Sequence, residues 1–282
     1  MNRRFKQGQH APSFAQSPLD IAIGNRDSQT MEMVRAAIEH KNTLLAFQPV
    51  MMSNDPTKVG FYEGLIRVLD ETGQIIPAKD FIEVIEVIEG TELGHKIDAL
   101  SLNMGLKALF ENQSLRLSIN MSALSIGFGP WKQNFFRWIE RDKTIAERLI
   151  LEITESSAMG SPQSVVKFMD EFQLLGVSFA LDDFGSGHTA LRYFKDFFFD
   201  VLKIDGQFIK SIDTDPDNQA LVKAMIGIAK HFDMLTVAEF VETRAEAETL
   251  IALRTDCLQG YFFSAPSTRP RWATEPSQQA AS

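Results

Sequence analysis

Eight short β-type runs recur along this chain, most of them separated by a segment with helical periodicity. That alternation restricts the fold more than any other feature of the sequence. The runs are LLAFQPV (44–50), GFYEGLIRV (60–68), LRLSINMS (115–122), RLILEITES (148–156), VSFALDD (177–183), DVLKID (200–205), MLTVAEFVE (234–242) and LQGYFFS (258–264). Several are almost continuously apolar, as strands are when both faces of a sheet are covered. Among the helical segments, PQSVVKFMDEFQLLG (162–176) has Pro near its first turn and stops at Gly. DNQALVKAMIGIAKHFD (217–233) and TRAEAETLIALR (243–254) show the same period. FIEVIEVIE (81–89) is β-branched, yet Glu83, Glu86 and Glu89 recur every third residue, as on a helical face. Eight strands in roughly 240 residues is the count and size of a (β/α)8 barrel. A doubly wound open sheet is the alternative. Only MMSNDPTKV links the first two runs, which is too short for a helical crossover. The expectation is therefore a TIM-like (β/α)8 barrel with an antiparallel first strand.

The 282 residues (31.7 kDa) suffice for one large core. Residues 1–28 and 268–282 are polar and read as a mobile arm and a mobile tail around one domain, 29–267. No apolar run approaches the roughly 18–20 residues that span a bilayer, so no membrane insertion is expected. The basic N-terminus is followed by no apolar segment, which argues against a signal peptide. A single cysteine, Cys257, allows no intrachain disulfide, and a cytoplasmic location is the default. A net charge of −9 without a dense Lys/Arg block speaks against binding long nucleic acid. It leaves room for a small phosphate ligand, because a bound divalent cation reverses the local sign of an acidic pocket.

The chemistry concentrates at the C-terminal ends of the runs. Gln48, Glu63, Asn120, Glu152 with Glu155, Asp182 with Asp183, Lys203 with Asp205, Glu239 with Glu242, and Gln259 all sit there. A parallel barrel gathers such positions around one mouth, where these folds do their chemistry. Asp182 and Asp183 are adjacent carboxylates, and a turn at the strand end can aim both at one positive partner. The alternative is that Asp183 merely caps the next helix. Carboxylates and an amide without thiolate or HExxH spacing favour Mg²⁺ or Mn²⁺ over zinc. There are enough carboxylates for two cations per site, an arrangement suited to in-line displacement at phosphorus. Lys203 either orients a water among the carboxylates or forms a structural salt bridge. Asp183-Phe184-Gly185 spells the kinase DFG, but the catalytic loop and glycine-rich strand turn of kinases are missing.

The order QPV, EGLIR, SINMS, LEITES, LDDFGSG, LKID, AEFVE, LQGYFFSAP resembles the EAL-domain phosphodiesterases of bacterial cyclic di-GMP signalling, over about residues 40–266. The resemblance implies Mg²⁺- or Mn²⁺-dependent hydrolysis of cyclic di-GMP to linear pGpG. By it, Glu63 is the signature glutamate and a metal ligand, with Asn120, Glu152 and Asp182 completing the first shell and Asp182 with Asp183 serving a second ion. Glu239 corresponds to the general base and Lys203 to the lysine that holds the attacking water. Glu155 corresponds to the residue that fixes the loop after DDFG, with Asp205 and Glu242 in supporting places. Gln48, Leu65 and Arg67 match ligand and phosphate contacts, and Gln259 the glutamine at the rim.

Two departures stand out. Gly64 replaces the usual Ala of the signature, and Phe240 replaces a usual Gly directly after the base. If that Gly carries a positive φ, Phe is strained there; otherwise Phe fills space. His188 stands where Tyr is common in a segment through which related domains pair. The aromatics that follow, Tyr193, Phe194, Phe197, Phe198 and Phe199, are read as a homodimer interface, against ordinary core packing. The competing function is a catalytically silent module that binds cyclic di-GMP or a protein partner. No metal ligand or base is missing, which favours the enzyme. Regulation would come from the arm, oligomerisation or an unidentified regulatory protein partner.

Overall fold

A computed structural model describes residues 30–76, 88–186, 194–270 and 272. The helical expectation for 81–89 falls outside the described residues, apart from 88 and 89. A helix over 30–39 (α1) precedes β1 (Thr43–Met52) and β2 (Asp55–Val68). Then follow α2 (Glu92–Glu111), β3 (Leu117–Asn120), α3 (Gly129–Ile139), β4 (Leu149–Thr154), α4 (Glu155–Gly160), α5 (Pro162–Gln173) and β5 (Ser178–Phe184). The series closes with β6 (Val201–Ile204), α6 (Pro216–His231), β7 (Leu235–Ala238), α7 (Arg244–Leu253) and β8 (Cys257–Leu258).

The strands form a closed barrel in chain order. β1 runs antiparallel to both β2 and β8, and every other neighbouring pair is parallel. The barrel with an antiparallel first strand is therefore borne out. The cause is the one read from the sequence: β1 and β2 meet at a tight turn, whereas parallel neighbours need a crossover. Helix starts follow ordinary capping chemistry. Asp215 accepts from the N–H groups of Asp217 and Asn218 ahead of Pro216, and Thr243 forms a reciprocal capping box with Glu246. No helix among the described residues is long and apolar enough to cross a membrane.

Strand residues two apart share a face, and this period builds the barrel interior in two tiers. Val50, Phe61, Ala180, Val201, Val237 and Cys257 form one buried apolar cluster, with Ile150 packed against it. Two positions along the same strands, towards the mouth, stand Gln48, Glu63, Asp182, Lys203, Glu239, Gln259 and Glu152, all buried. Asn120 follows buried Ser118 by the same step. Outside the barrel, the strands' other faces join α2, α3 and α5 in the main core around Trp131, Phe135, Phe172 and Phe179.

The closing seam is short. β8 pairs with β1 only through Met51–Leu258 and Met52–Cys257, although the sequence suggests a strand over 258–264. Gly260 explains the difference. A Cβ there would overlap the backbone of Val241, so the chain passes directly over that residue and turns, with Phe263 N–H donating to the Gly260 carbonyl. The seam is reinforced by a bridge between Phe47 and Ser267 and by Trp272, packed edge-on against Phe47 at 5.1 Å.

The aromatic segment after β5 differs from the interface expectation. Phe194, Phe197 and Phe199 are buried in the main core. Phe198 is 66% exposed, and it lies just before β6 at the barrel end opposite the mouth. Tyr193 and His188 lie outside the described residues. Among the described residues of this segment, Phe194, Phe197 and Phe199 supply core and Phe198 is exposed away from the mouth.

Gly64 also has a packing reason. A Cβ at this position would lie 2.6 Å from Ile119 Cδ1 and 3.1 Å from Leu45 Cδ2, and the same Ile119 methyl sits 2.7 Å from a notional Cβ on Gly105. Ile119 fills the room that two missing side chains leave. Gly64→Ala is therefore expected to destabilise by about 1–3 kcal/mol through overpacking. Ile119→Val removes the offending methyl, so the double variant should lose less than the sum of the two single losses. Chemical denaturation of the full cycle checks this; strict additivity would show that the two positions do not compete for space.

Candidate active site

Lys203 is the centre of the mouth. It is 1% exposed, and its Nζ lies 2.6 Å from Glu152 Oε2, 2.9 Å from Glu239 Oε1, 3.0 Å from Asp182 Oδ1 and 3.7 Å from Glu63 Oε2. β2, β4, β5 and β6 place Glu63, Glu152, Asp182 and Lys203 by the same inward step and Glu239 follows β7 directly, so an ordinary parallel register suffices to bring them together.

Amides hold the ring on its β1–β3 side. Asn120 Nδ2 donates to Glu63 Oε1 at 2.9 Å and Gln259 Nε2 donates to Glu63 Oε2 at 2.6 Å. Gln259 also reaches Gln48 Oε1 at 3.3 Å, while Gln48 Nε2 donates to the Ser264 carbonyl. Gln48 therefore ties the closing seam to the glutamate.

Asp183 breaks the strand period. Its φ is +55°, in the left-handed region, and the β5–β6 register shifts between Leu181 and Phe184. The kink lets consecutive aspartates face the same space. Carboxylate oxygens of Asp182, Asp183 and Glu239 all lie within 4.8 Å of one another. Glu155 Oε2 accepts from Gly185 N–H at 3.1 Å, which pins the turn that follows. Leu65 and Arg67 line a cavity of about 530 Å³ together with Asn120, Glu152, Asp182 and Asp183. Asp205 and Glu242 are not part of the carboxylate ring. They line a neighbouring cavity of about 320 Å³ with Gly206, Gln207, Lys210 and Phe240.

Charge is unbalanced at this centre: Lys203 faces Glu63, Glu152, Asp182, Asp183 and Glu239. Burial alone would depress the Lys203 ammonium, but the surrounding carboxylates hold it well above its ordinary value. Burial pushes Glu152 up to about 8, with Glu63 and Asp182 adding to the rise. Burial likewise drives Glu239 well above the carboxylate range. Asp183 rises to about 6, through burial and then its neighbour Asp182. Glu63 goes the other way: burial is outweighed by Lys203 and by its hydrogen bonds from Gln259 and Asn120. Glu152 Oε1 is buried with no hydrogen-bond partner. An orphaned carboxylate oxygen in an oxygen-only donor set fits a hard divalent cation. Glu63, Asn120, Glu152 and Asp182 could hold one ion, and Asp182 with Asp183 a second.

The sequence reading missed Asp98, which lines the larger cavity from α2. Its Oδ2 accepts from Ser122 N–H at 3.1 Å and from Ser125 Oγ at 2.5 Å, and Ser125 Oγ also meets His95 Nδ1 at 2.8 Å. Burial pushes its carboxyl up to about 7, despite those bonds. Glu89 joins the same wall, accepting from Ser122 Oγ at 2.7 Å and Ser157 Oγ at 3.2 Å. A single acid within an amphipathic helix carries no motif. Its one sequence signal is a carboxylate beside the apolar positions of KIDALSL.

These shifts have a stability consequence. In the folded, metal-free chain Asp98, Glu152 and Asp183 keep protons that an unfolded chain releases near pH 4. The folded state then binds more protons, so stability falls as pH rises from about 4 towards 8. Metal binding displaces the protons of Glu152 and Asp183 and should reverse their part of the trend. In chelator the melting temperature is expected to drop between pH 5.5 and pH 8, and Mg²⁺ or Mn²⁺ should stabilise more at pH 8 than at 5.5. A flat profile in chelator would mean that the carboxylates ionise without a cation.

Comparison with known proteins gives one family model, described as EAL domain, matching residues 31–266. The signaling protein YkoW of Bacillus subtilis is 32% identical over 253 residues, which cover 87% of this chain and 31% of that protein. The cyclic di-GMP phosphodiesterase PdeA of Borreliella burgdorferi is 32% identical over 256 residues, 88% of this chain and 37% of that protein. This chain thus spans about a third of the length of the curated relatives it matches. Among solved structures, the MucR phosphodiesterase in complex with c-di-GMP superposes with a TM-score of 0.74 at 28% identity, covering 88% of this chain and all of that one.

Proposed function

The chain belongs to the EAL-domain family, and we propose that it is an active metal-dependent phosphodiesterase that opens cyclic di-GMP to linear pGpG. The observation that carries this reading is the buried Lys203 surrounded by more carboxylates than it can neutralise, at the C-terminal mouth of the barrel. The likeness to relatives named cyclic di-GMP phosphodiesterases supports the substrate.

In this reading one phosphodiester bond is hydrolysed. Water's oxygen bonds to phosphorus, the bond to the ribose 3′ oxygen breaks, and that oxygen gains a proton. Two Mg²⁺ or Mn²⁺ ions, held by Glu63, Asn120, Glu152, Asp182 and Asp183, would supply Lewis-acid polarisation and a water acidic enough to react near neutral pH. The remaining work belongs to the chain. Glu239, placed 2.9 Å from Lys203, takes the proton of the attacking water; burial favours its protonated form in the metal-free site, so bound cations would be what keeps it ionised for this role. Lys203 is the lysine that holds the attacking water beside Glu239. Arg67 stands in the cavity wall as a phosphate contact, and Leu65 offers apolar surface beside it. Glu155 keeps the Asp182–Asp183 turn in place through Gly185.

The test is incubation of the purified chain with cyclic di-GMP and Mg²⁺ or Mn²⁺, with pGpG followed by chromatography. Excess EDTA should abolish turnover and either ion should restore it, whereas Ca²⁺, with longer bonds and looser geometry, should support it poorly. Glu239→Ala should lower the rate by about 10²–10⁴-fold as a lost general base. Glu63→Ala should remove a ligand and leave comparably little activity, with circular dichroism showing that both variants still fold. If wild type binds cyclic di-GMP and none of its metal forms cleaves it, the chain is a silent binding module.

A further inference from the structure

Phe240 follows Glu239 directly and has a φ of +53°, a conformation that bulky residues rarely adopt. Backbone strain of this kind persists only where the surroundings impose it, and it concentrates at functional sites. The ring is not tucked away to compensate: Phe240 is 63% exposed. One side of it lies against backbone, because a Cβ on Gly206 would come within 2.6–2.9 Å of Phe240 Cδ2, Cγ and Cβ. The other side faces outwards. An aromatic ring seated on a glycine and open to solvent is a rigid flat platform.

The surroundings say what such a platform would take. The cavity of about 320 Å³ that Phe240 lines also presents Asp205, Gln207, Lys210 and Glu242. Carboxylates accept from a base edge that carries N–H groups, while the glutamine amide and the ammonium donate to an exocyclic oxygen or a ring nitrogen. Glu246 in the same wall is already occupied by the N–H groups of Ser211, Glu242 and Thr243, so its role is to hold the wall. The cavity adjoins the carboxylate ring through the backbone, since Glu239 is the residue preceding Phe240. Gln207 Nε2 also reaches the Gly185 carbonyl at 3.4 Å, at the turn that follows Asp183.

We propose that Phe240 is a stacking platform for one purine base of the dinucleotide whose phosphodiester is held at the carboxylate ring, making the Asp205–Lys210–Glu242 cavity a nucleobase subsite. This rests on the cyclic-dinucleotide reading of the site above. Stacking needs a flat π face and tolerates different bases, whereas simple coverage of Gly206 needs only apolar bulk.

The test compares wild type with Phe240→Gly, Phe240→Leu and Phe240→Trp, using cyclic di-GMP as the probe and Ca²⁺ in place of Mg²⁺ to suppress turnover. Phe240→Gly is expected to raise the melting temperature by relieving the left-handed strain, yet to weaken binding about ten- to a hundred-fold. Phe240→Leu should lose most of the same affinity, and Phe240→Trp should retain it. The Trp variant adds a direct readout: its fluorescence, taken as the difference from wild type, should be quenched on binding when a base lies against the indole. Equal affinity for wild type, Gly and Leu variants, or no quenching of the bound Trp variant, would overturn the platform and leave Phe240 as a cover for Gly206. Wild type that fails to bind cyclic di-GMP at all would instead bring down the proposed substrate, and this subsite with it.

Discussion

A single buried ammonium organises this molecule. Lys203 has lost its water, and a lone charge in such a place is held only by close counter-charges. The barrel supplies them from β2, β4 and β5 and from the residue after β7. Each of those carboxylates would itself be unstable as an isolated buried ion. Together they overshoot: the lysine stays charged, while Glu152 and Glu239 are driven towards the protonated form. The excess negative charge is the property that suits the site to cations, and no neutral rearrangement of the same strands would have it.

The polar tier is tolerated because of what lies beneath it. A closed barrel has no sheet edge, and its lower interior is filled by Val50, Phe61, Ala180, Val201, Val237 and Cys257. Those residues fix strand spacing without help from the ring above. The tier at the mouth can then be selected for chemistry, with backbone positions already determined. Two backbone departures carry the remaining adjustment. The left-handed Asp183 turns a strand position towards the site, and Gly260 lets the chain cross Val241 where β8 ends.

Much of this was legible in the sequence because strand periodicity and strand-end chemistry are local signals. A linker too short for a helix between the first two runs implied the antiparallel pair. Polar residues at the ends of all eight runs implied a common mouth, and the structure gathers Glu63, Asn120, Glu152, Asp182, Lys203, Glu239 and Gln259 there. Asp205 and Glu242 showed the limit of that rule, since a strand-end position can fall on either side of a rim. Asp98 was invisible because it reaches the cavity from a helix, through a turn that brings Ser122 and Ser125 to it. The aromatic run after β5 could be read as interface or as core, because crowding of rings along the chain says nothing about which way each one faces. The inward packing of Phe194, Phe197 and Phe199 is set by their neighbours in the folded core.

The two departures from the family pattern behave as opposites. Gly64 is a loss of side chain whose space has been refilled by Ile119, beside the wall of the larger cavity that Gly64 also lines. Phe240 is a gain of side chain with no corresponding relief, since its backbone stays left-handed and its ring stays exposed. A packing change tends to be absorbed by neighbours, because close-packed interiors leave it nowhere else to go. A strained and exposed aromatic has not been absorbed. With the adjoining glutamate already tied to Lys203, the strain at Phe240 falls two residues past the end of β7, at the rim of the carboxylate ring, where a change in side chain alters the shape of the mouth.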